Sequence, residues 1–499
     1  MHKIGYWLLA IGCWLKTQLV RGFWFLVHGK IPQSAMPTAP FIREPRTLKF
    51  RKLVPFNKGD AAKRQGDSVN WTQLSTKILL FGITVSLCLP LTGCYDAREV
   101  DELGYVMAVG LDKGDPGFVK MTLQIAIPKN ISGGGGEKSS GGGQESSLIA
   151  MVETHSIPIG LNNINTFLSR QLILADAKVI VFSSELAKEG LAPYLHSIIR
   201  SKDFRPTAFV AVSRTSAEEY IKNVAPKMET NPAKYYELNF NSYKYTGLFP
   251  ATNIHSFYFD TESHEKQAIA TLASVNKFGP DKDINLGGST AKEKGQSITF
   301  LSDFKAGDIP RKSDLKSEIM GAAVFDGTKM VGELDGEESS FYLMTIGQYN
   351  YANWSFSDPK HTGRFFALNI KQGRKPNIKV RLVNGKPYID IKIALEADIL
   401  SIQSGENYEA PERIGEIENY ASKKIKEGMM KLFEKCAREF HSDIFGFGSK
   451  AKYLVLTWKQ WEAMHWLDIF KYSQFNTEVN LKIRRSGLII RTIPEKQVQ

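Results

Sequence analysis

Residues 378–395 read IKVRLVNGKPYIDIKIAL, and this stretch decides the second half of the fold. Asn384-Gly385 between two apolar-rich runs is a strong signal for a two-residue type I′ hairpin, because both residues tolerate positive φ. In the returning strand Ile389, Ile391 and Ile393 alternate with Asp390 and Lys392. A period of two places one face in a core and one in water. Toward the C-terminus, 411–440 has the spacing of a long amphipathic helix. Its apolar line runs through Ile414, Ile417, Ala421, Ile425, Met429, Leu432, Cys436 and Phe440, in steps of three and four. Cys436 on that stripe is expected to be a buried thiol and not a nucleophile. A last strand, with Val479, Leu481 and Ile483 alternating with Asn480, Lys482 and Arg484, is expected to close the sheet by antiparallel pairing. Hairpins beside long helices make an α+β class with mixed and antiparallel sheets flanked by helices, and the 406 residues past position 93 are enough for two or three domains.

The region before the hairpin is more mixed. Asp96 and Glu99 have capping-box spacing, predicting a helical turn that reaches Leu103 and ends at Gly104. Strands follow at 105–111 and 118–126. The segment 132–147 is Gly/Ser-rich and reads as a solvated insertion; Glu137 stands before Lys138 where a phosphate loop needs Gly. An α/β stretch comes next: a helix over 159–169, a strand at 177–182, two short helices over 185–200, a strand at 208–212, and a helix capped near Thr215. Residues 233–259 are crowded with aromatics, expected to pack in a middle domain. From 279 to 296 the chain turns Gly-, Lys- and Asp-rich, as a linker or long loop does. A second block begins near Met320, with a strand at 322–325 turning at Asp326-Gly327.

The N-terminal quarter follows another logic. An apolar run, 78–89, is followed by Leu91-Thr92-Gly93-Cys94. Twelve residues suit a signal-peptide core and fall short of the roughly 20 needed to span a bilayer. Small residues before a cysteine then look like a lipoprotein cleavage site, with Leu91, Thr92 and Gly93 in the protease cleft and Cys94 lipidated. More than seventy residues precede this motif, including an apolar stretch at 4–27 and a basic segment at 30–77. Either these are a membrane-associated extension with a basic cytoplasmic part, or translation starts later, at Met36 or at Val69. The chain is accordingly divided into an atypical extension (1–68), a lipoprotein signal peptide (69–93), an N-terminal region of one or two α/β subdomains (94–315) and a C-terminal α+β domain (316–495).

Charge follows the same division. Residues 1–93 hold 13 Lys and Arg against 3 Asp and Glu, so of the net +12 only +2 belongs to the remainder. A nucleic-acid binder keeps its basic excess in the folded part, so no nucleic-acid partner is expected. Past residue 93 the cysteines are Cys94 and Cys436, and lipidation of the first leaves no intramolecular disulfide. The nine histidines form no His-x-x-x-His or His-x-His pair, there is no Cys-x-x-Cys, and no Gly-x-Ser-x-Gly elbow occurs. Neither a metal site nor catalytic residues are expected. Glu333, Asp335, Glu337 and Glu338, interleaved with Gly332 and Gly336, read as a tight turn with a solvated acidic face. The pattern favours a binding or assembly role over an enzyme. Two other readings are a solute-binding lipoprotein of a membrane transporter and a surface-attached hydrolase.

Several of these blocks carry a likeness. The segment 94–104, CYDAREVDELG, with Ala108-Val109-Gly110-Leu111-Asp112-Lys113, resembles the start of the Ger(x)C family of spore-germination lipoproteins. So do 174–200, 321–338, the run Asp443-Ile444-Phe445-Gly446-Phe447-Gly448, and 479–488. Tyr95 stands where the family usually has Trp, the Gly-rich insertion is long, and 1–68 has no counterpart. The resemblance implies a three-domain α+β subunit of a nutrient germinant receptor without enzymatic activity. It implies no cofactor beyond covalent diacylglycerol and an N-acyl chain on Cys94. Its implied place is the outer face of the spore inner membrane, in contact with the bilayer and with integral membrane A and B subunits.

Overall fold

The structure, a computed structural model, describes residues 71–88, 99–127, 146–229, 231–278, 303–489 and 492. The chain divides into two units, 1–93 and 94–499. In the first, helix α1 (Trp71–Cys88) contains most of the apolar run and leaves Ile78, Leu79, Leu80 and Phe81 exposed. Among the described residues no helix is long and apolar enough to cross a membrane.

The second unit begins with a single 3-10 turn, Val100–Glu102. Asp96 lies outside the described residues. The helix expected to reach Leu103 and stop at Gly104 gives way there to strand β1 (Leu103–Lys113), which contains both. The chain continues through β2 (Val119–Ala126), β3 (Ser147–Thr154), α2 (Ile157–Asn165), β4 (Gln171–Ile173), β5 (Val179–Ser183), α3 (Ser184–Glu189) and α4 (Ala192–Arg200). Then come β6 (Phe209–Ser213), α5 (Ala217–Lys222), α6 (Pro232–Asn241), α7 (Tyr243–Thr246), α8 (Ile254–Thr261), β7 (Ile269–Val275), β8 (Ser317–Asp326) and β9 (Lys329–Leu334). The C-terminal part holds α9 (Gly336–Ile346), β10 (Tyr351–Ser357), β11 (Phe365–Val383), β12 (Lys386–Ile402), α10 (Ile414–Arg438), α11 (Gly448–Ala451), α12 (Trp458–Met464), α13 (Trp466–Phe470) and β13 (Gln474–Arg485).

Among the described residues the strands form a nine-stranded and a four-stranded sheet. In the first, β1, β5, β6 and β7 are parallel neighbours, flanked by antiparallel strands on both sides. β5 explains the arrangement: Ile180 and Phe182 enter one apolar cluster, Val179 and Val181 another, so the strand is buried on both faces. Parallel strands covered on both sides require such continuous apolar runs. Several aromatics of 233–259 serve these clusters, while Tyr245 and Phe259 are exposed. Tyr236, Phe240 and Phe257 are fully buried, and the Tyr236 hydroxyl donates to Gln124 Oε1 at 2.8 Å. They pack onto the first sheet. The same sheet takes in β8 and β9, so it runs through position 316.

The second sheet, ordered β10-β11-β12-β13, carries the expected hairpin. Asn384 has φ 51° and Gly385 φ 74°, with Val383 paired to Lys386 across the two-residue turn. Ile389, Ile391 and Ile393 are buried. The stripe of α10 packs on this face, with Ile417, Ala421, Ile425, Met429, Leu432 and Cys436 all fully buried. The last strand departs from expectation: β13 pairs with β12 in parallel register, Tyr388 opposite Gln474 through Ala397 opposite Ile483. The cause is the connection. A long helix carries the chain back along the sheet, so the next strand starts from the same end.

Candidate functional site

Leu91, Thr92, Gly93 and Cys94 lie outside the described residues. Two knots of polar groups stand out in the folded body, and both join elements together; other buried carboxylates, Asp112, Glu318, Asp358 and Glu418, are each hydrogen-bonded elsewhere.

The first is at the β9–α9 junction. Asp335 is the N-cap of α9: its side chain accepts from the Glu338 N–H at 2.8 Å, while the Asp335 N–H donates to Glu338 Oε2 at 3.0 Å. This reciprocal capping box satisfies two donors that a helix start otherwise leaves open. Lys435, on α10, donates to both Glu338 oxygens at 2.7 and 2.9 Å. Glu333 is bound by Lys305 at 3.1 Å and by Arg214 at 3.4 Å, and Arg214 reaches Asp308 at 2.8 Å. The acidic cluster is therefore a half-buried helix start that ties β9, α9 and α10 together, and not the solvated turn expected from sequence. Burial, and then the Glu338 charge, pushes the Asp335 carboxyl up to about 7; burial and then Asp335 push Glu337 up to about 8. The sequence did hold the signal. Asp335 and Glu338 repeat the spacing of Asp96 and Glu99.

The second knot is built on Asp443. Fully buried, its Oδ1 accepts from the N–H groups of Gly446 (3.0 Å) and Phe447 (3.2 Å), and its Oδ2 from Gly448 N–H and Trp466 Nε1 (both 2.9 Å). Burial pushes this carboxyl up to about 6. Two glycines make the loop possible. Gly446 has φ +73°, and a Cβ at Gly448 would lie 2.3 Å from the Glu265 carbonyl oxygen. The Asp443 carbonyl accepts from Gln267 N–H at 2.8 Å, fastening this loop to the chain entering β7. Cys436 sits in the same core, where burial raises its thiol well above the usual range. Among the described residues no group of His, Cys, Asp or Glu is arranged to hold a metal ion.

These joints coincide with blocks that two family models match. One, described as the N-terminal domain of a spore germination protein, covers residues 96–275; the other, described as spore germination B3/GerAC-like, C-terminal, covers 320–487. The class is thus that of spore-germination proteins, and the chain belongs to its Ger(x)C family. Spore germination protein KC of Bacillus subtilis (strain 168) is 26% identical over 424 residues, 83% of this chain and 96% of the relative. Spore germination protein GerQC of Bacillus cereus is 20% identical over 399 residues, 80% of this chain and 96% of the relative. The crystal structure of the GerBC protein aligns with a TM-score of 0.43 and 16% identity, covering 75% of this chain and 96% of that one.

Proposed function

We propose that this chain is the lipid-anchored subunit of a nutrient germinant receptor, needed for spore germination and acting by assembly, not catalysis. Cleavage after Gly93 exposes Cys94, which carries diacylglycerol and an N-acyl chain. The folded body then stands on the outer face of the spore inner membrane beside integral membrane A and B subunits. One acyl chain gives only marginal residence at a bilayer, whereas two chains hold firmly. Tethering raises the local concentration of the body near its partners, so modest interfaces suffice.

The observation that carries this reading is the order of parts: an apolar helix, α1, then Leu91-Thr92-Gly93-Cys94, then a body of the spore-germination family. The Asp335–Glu338–Lys435 and Asp443–Trp466 contacts support it too, because these carboxylates are taken up in joining elements. Cys94→Ala tests it: labelled palmitate should no longer be incorporated, and the protein should leave the membrane fraction. Continued labelling of the variant would defeat the anchor. Co-purification of a tagged copy with integral membrane proteins from spore membranes tests the assembly.

A further inference from the structure

The loop between α11 and α12 exposes an unusual run of apolar side chains: Tyr453 is 86% exposed, Leu456 97%, Trp458 53% and Leu454 46%. This exposure is built in and not frayed. Ala451 and Trp461 are buried on either side, and Val455 packs on the core. Thr457 caps α12 in a reciprocal box with Gln460, whose side-chain oxygen also accepts from the Leu456 and Thr457 N–H groups at 3.1 and 3.2 Å. Trp458 is oriented by its Nε1–H bond to Glu462 at 2.6 Å, with the Lys452 ammonium 4.9 Å from its ring centre. Lys450 and Lys459 flank the crest, exposed and without an ion-pair partner among the described residues.

Position decides what this crest faces. Ala108 of β1 pairs with Val179, Val179 with Phe209, and Ala211 with Thr271, so the four parallel strands enter the sheet at one edge. Lys452 is ion-paired with Glu265, four residues before β7, which places the crest by that edge. Glu99, the first described residue of this unit, leads into β1 at the same edge. Cys94 is five residues earlier, and five residues span at most about 18 Å.

The geometry points to a membrane-seating surface: the 453–458 crest lies in the headgroup region of an anionic bilayer, fixing the orientation of a body tethered at Cys94. This rests on the anchoring reading above. Tyr and Trp favour the interface between hydrocarbon and water, and lysines are drawn to anionic headgroups. A lipid anchor alone leaves the body free to swivel; a second contact on the same edge sets which face meets membrane partners.

The test uses the full chain with Cys13→Ser and Cys88→Ser, purified from membranes of expressing cells and reconstituted in vesicles. An environment-sensitive dye is attached at Leu456→Cys or, as control, at Asp115→Cys in the turn beyond the leaving end of β1. In vesicles of equal parts phosphatidylcholine and phosphatidylglycerol, the 456 dye should shift to the blue and be quenched by spin-labelled lipid, and the 115 dye should not. Lys450→Gln with Lys459→Gln should lower the inserted-to-wet ratio at 456 about thirtyfold. A 456 dye that stays wet on vesicle-bound protein overturns this surface alone. A dye shielded but unquenched by lipid also overturns it, and would show a second copy or a protein on the crest. Absence of the Cys94 protein from these vesicles would sink the anchor and the surface together.

Discussion

Trp466 donates its indole N–H to Asp443 Oδ2 at 2.9 Å, and through this bond α13 closes over a loop whose own backbone supplies three further donors to the same carboxyl. Four donors converge on two oxygens in a fully buried site. Asp443→Asn keeps the shape but turns one acceptor into a donor facing donors. An unsatisfied buried group costs about 1–3 kcal/mol. The melting temperature should fall by roughly 3–10 °C, at about 2–4 °C per kcal/mol for domains of this size. Calorimetry showing an unchanged Tm would mean that the knot contributes nothing to stability.

Glu337 and Asp335 give the fold a pH dependence of uncommon sign. Their folded values, about 8 and about 7, lie above the ordinary 4.5 and 3.8 because burial and neighbouring carboxylates disfavour the charged forms. Between about pH 4 and 8 the folded state thus binds more protons than the unfolded chain, and stability declines as pH rises through that window. Wild-type protein should melt several degrees lower at pH 8.5 than at pH 6. Glu337→Gln should flatten the decline. Equal pH slopes for the two proteins would exclude this role for Glu337.

Within α10 the same substitution should act in opposite directions at two positions. Gly415, in the first turn, has open space where a Cβ would sit, whereas a Cβ at Gly428 would lie 2.3 Å from the Phe341 ring of α9. Ala is favoured over Gly in a helix by up to about 1 kcal/mol, so Gly415→Ala should be slightly stabilising. Gly428→Ala gains the same propensity but forces two packed helices apart, at about 1–3 kcal/mol. Denaturation midpoints should move in opposite directions.

These sites mark what could be read from sequence. The Asn384-Gly385 turn, the alternation of Ile389, Ile391 and Ile393, and the buried stripe of α10 were legible because each is a local period or a local turn requirement. The direction of β13 was not, since alternation fixes which face is buried and says nothing about the neighbour's direction. The connection through α10 settles that. In the acidic cluster the Asp335–Glu338 spacing marks a helix start, but its half-burial is not legible in sequence, because it comes from Lys435 of α10 and from Lys305 and Arg214 on Glu333. The run from Asp443 to Gly448 carries part of the family likeness, but nothing local marks Asp443 as a buried acceptor. Its donors come from a loop and from Trp466, 23 residues on, and such convergence exists only after folding.

The Gly/Ser segment allows a sharper test than its composition alone. β2 and β3 pair antiparallel from Val119 opposite Thr154 to Ala126 opposite Ser147, so the segment connects neighbouring strands. Ser147 belongs to the sheet: its hydroxyl accepts from Gln124 Nε2 at 3.0 Å, and the Ser146 carbonyl accepts from Ile127 N–H at 3.1 Å. Removing 132–143 keeps both bonded residues and shortens the connection, and closure entropy changes by about 0.6 kcal/mol per twofold change in loop length. The Tm should stay within about 2 °C of wild type or rise slightly. Extending the deletion through Ser147 takes away the paired end of β3 and should lower the Tm by clearly more. If both deletions melt alike, the strand end contributes no more to stability than the insertion does.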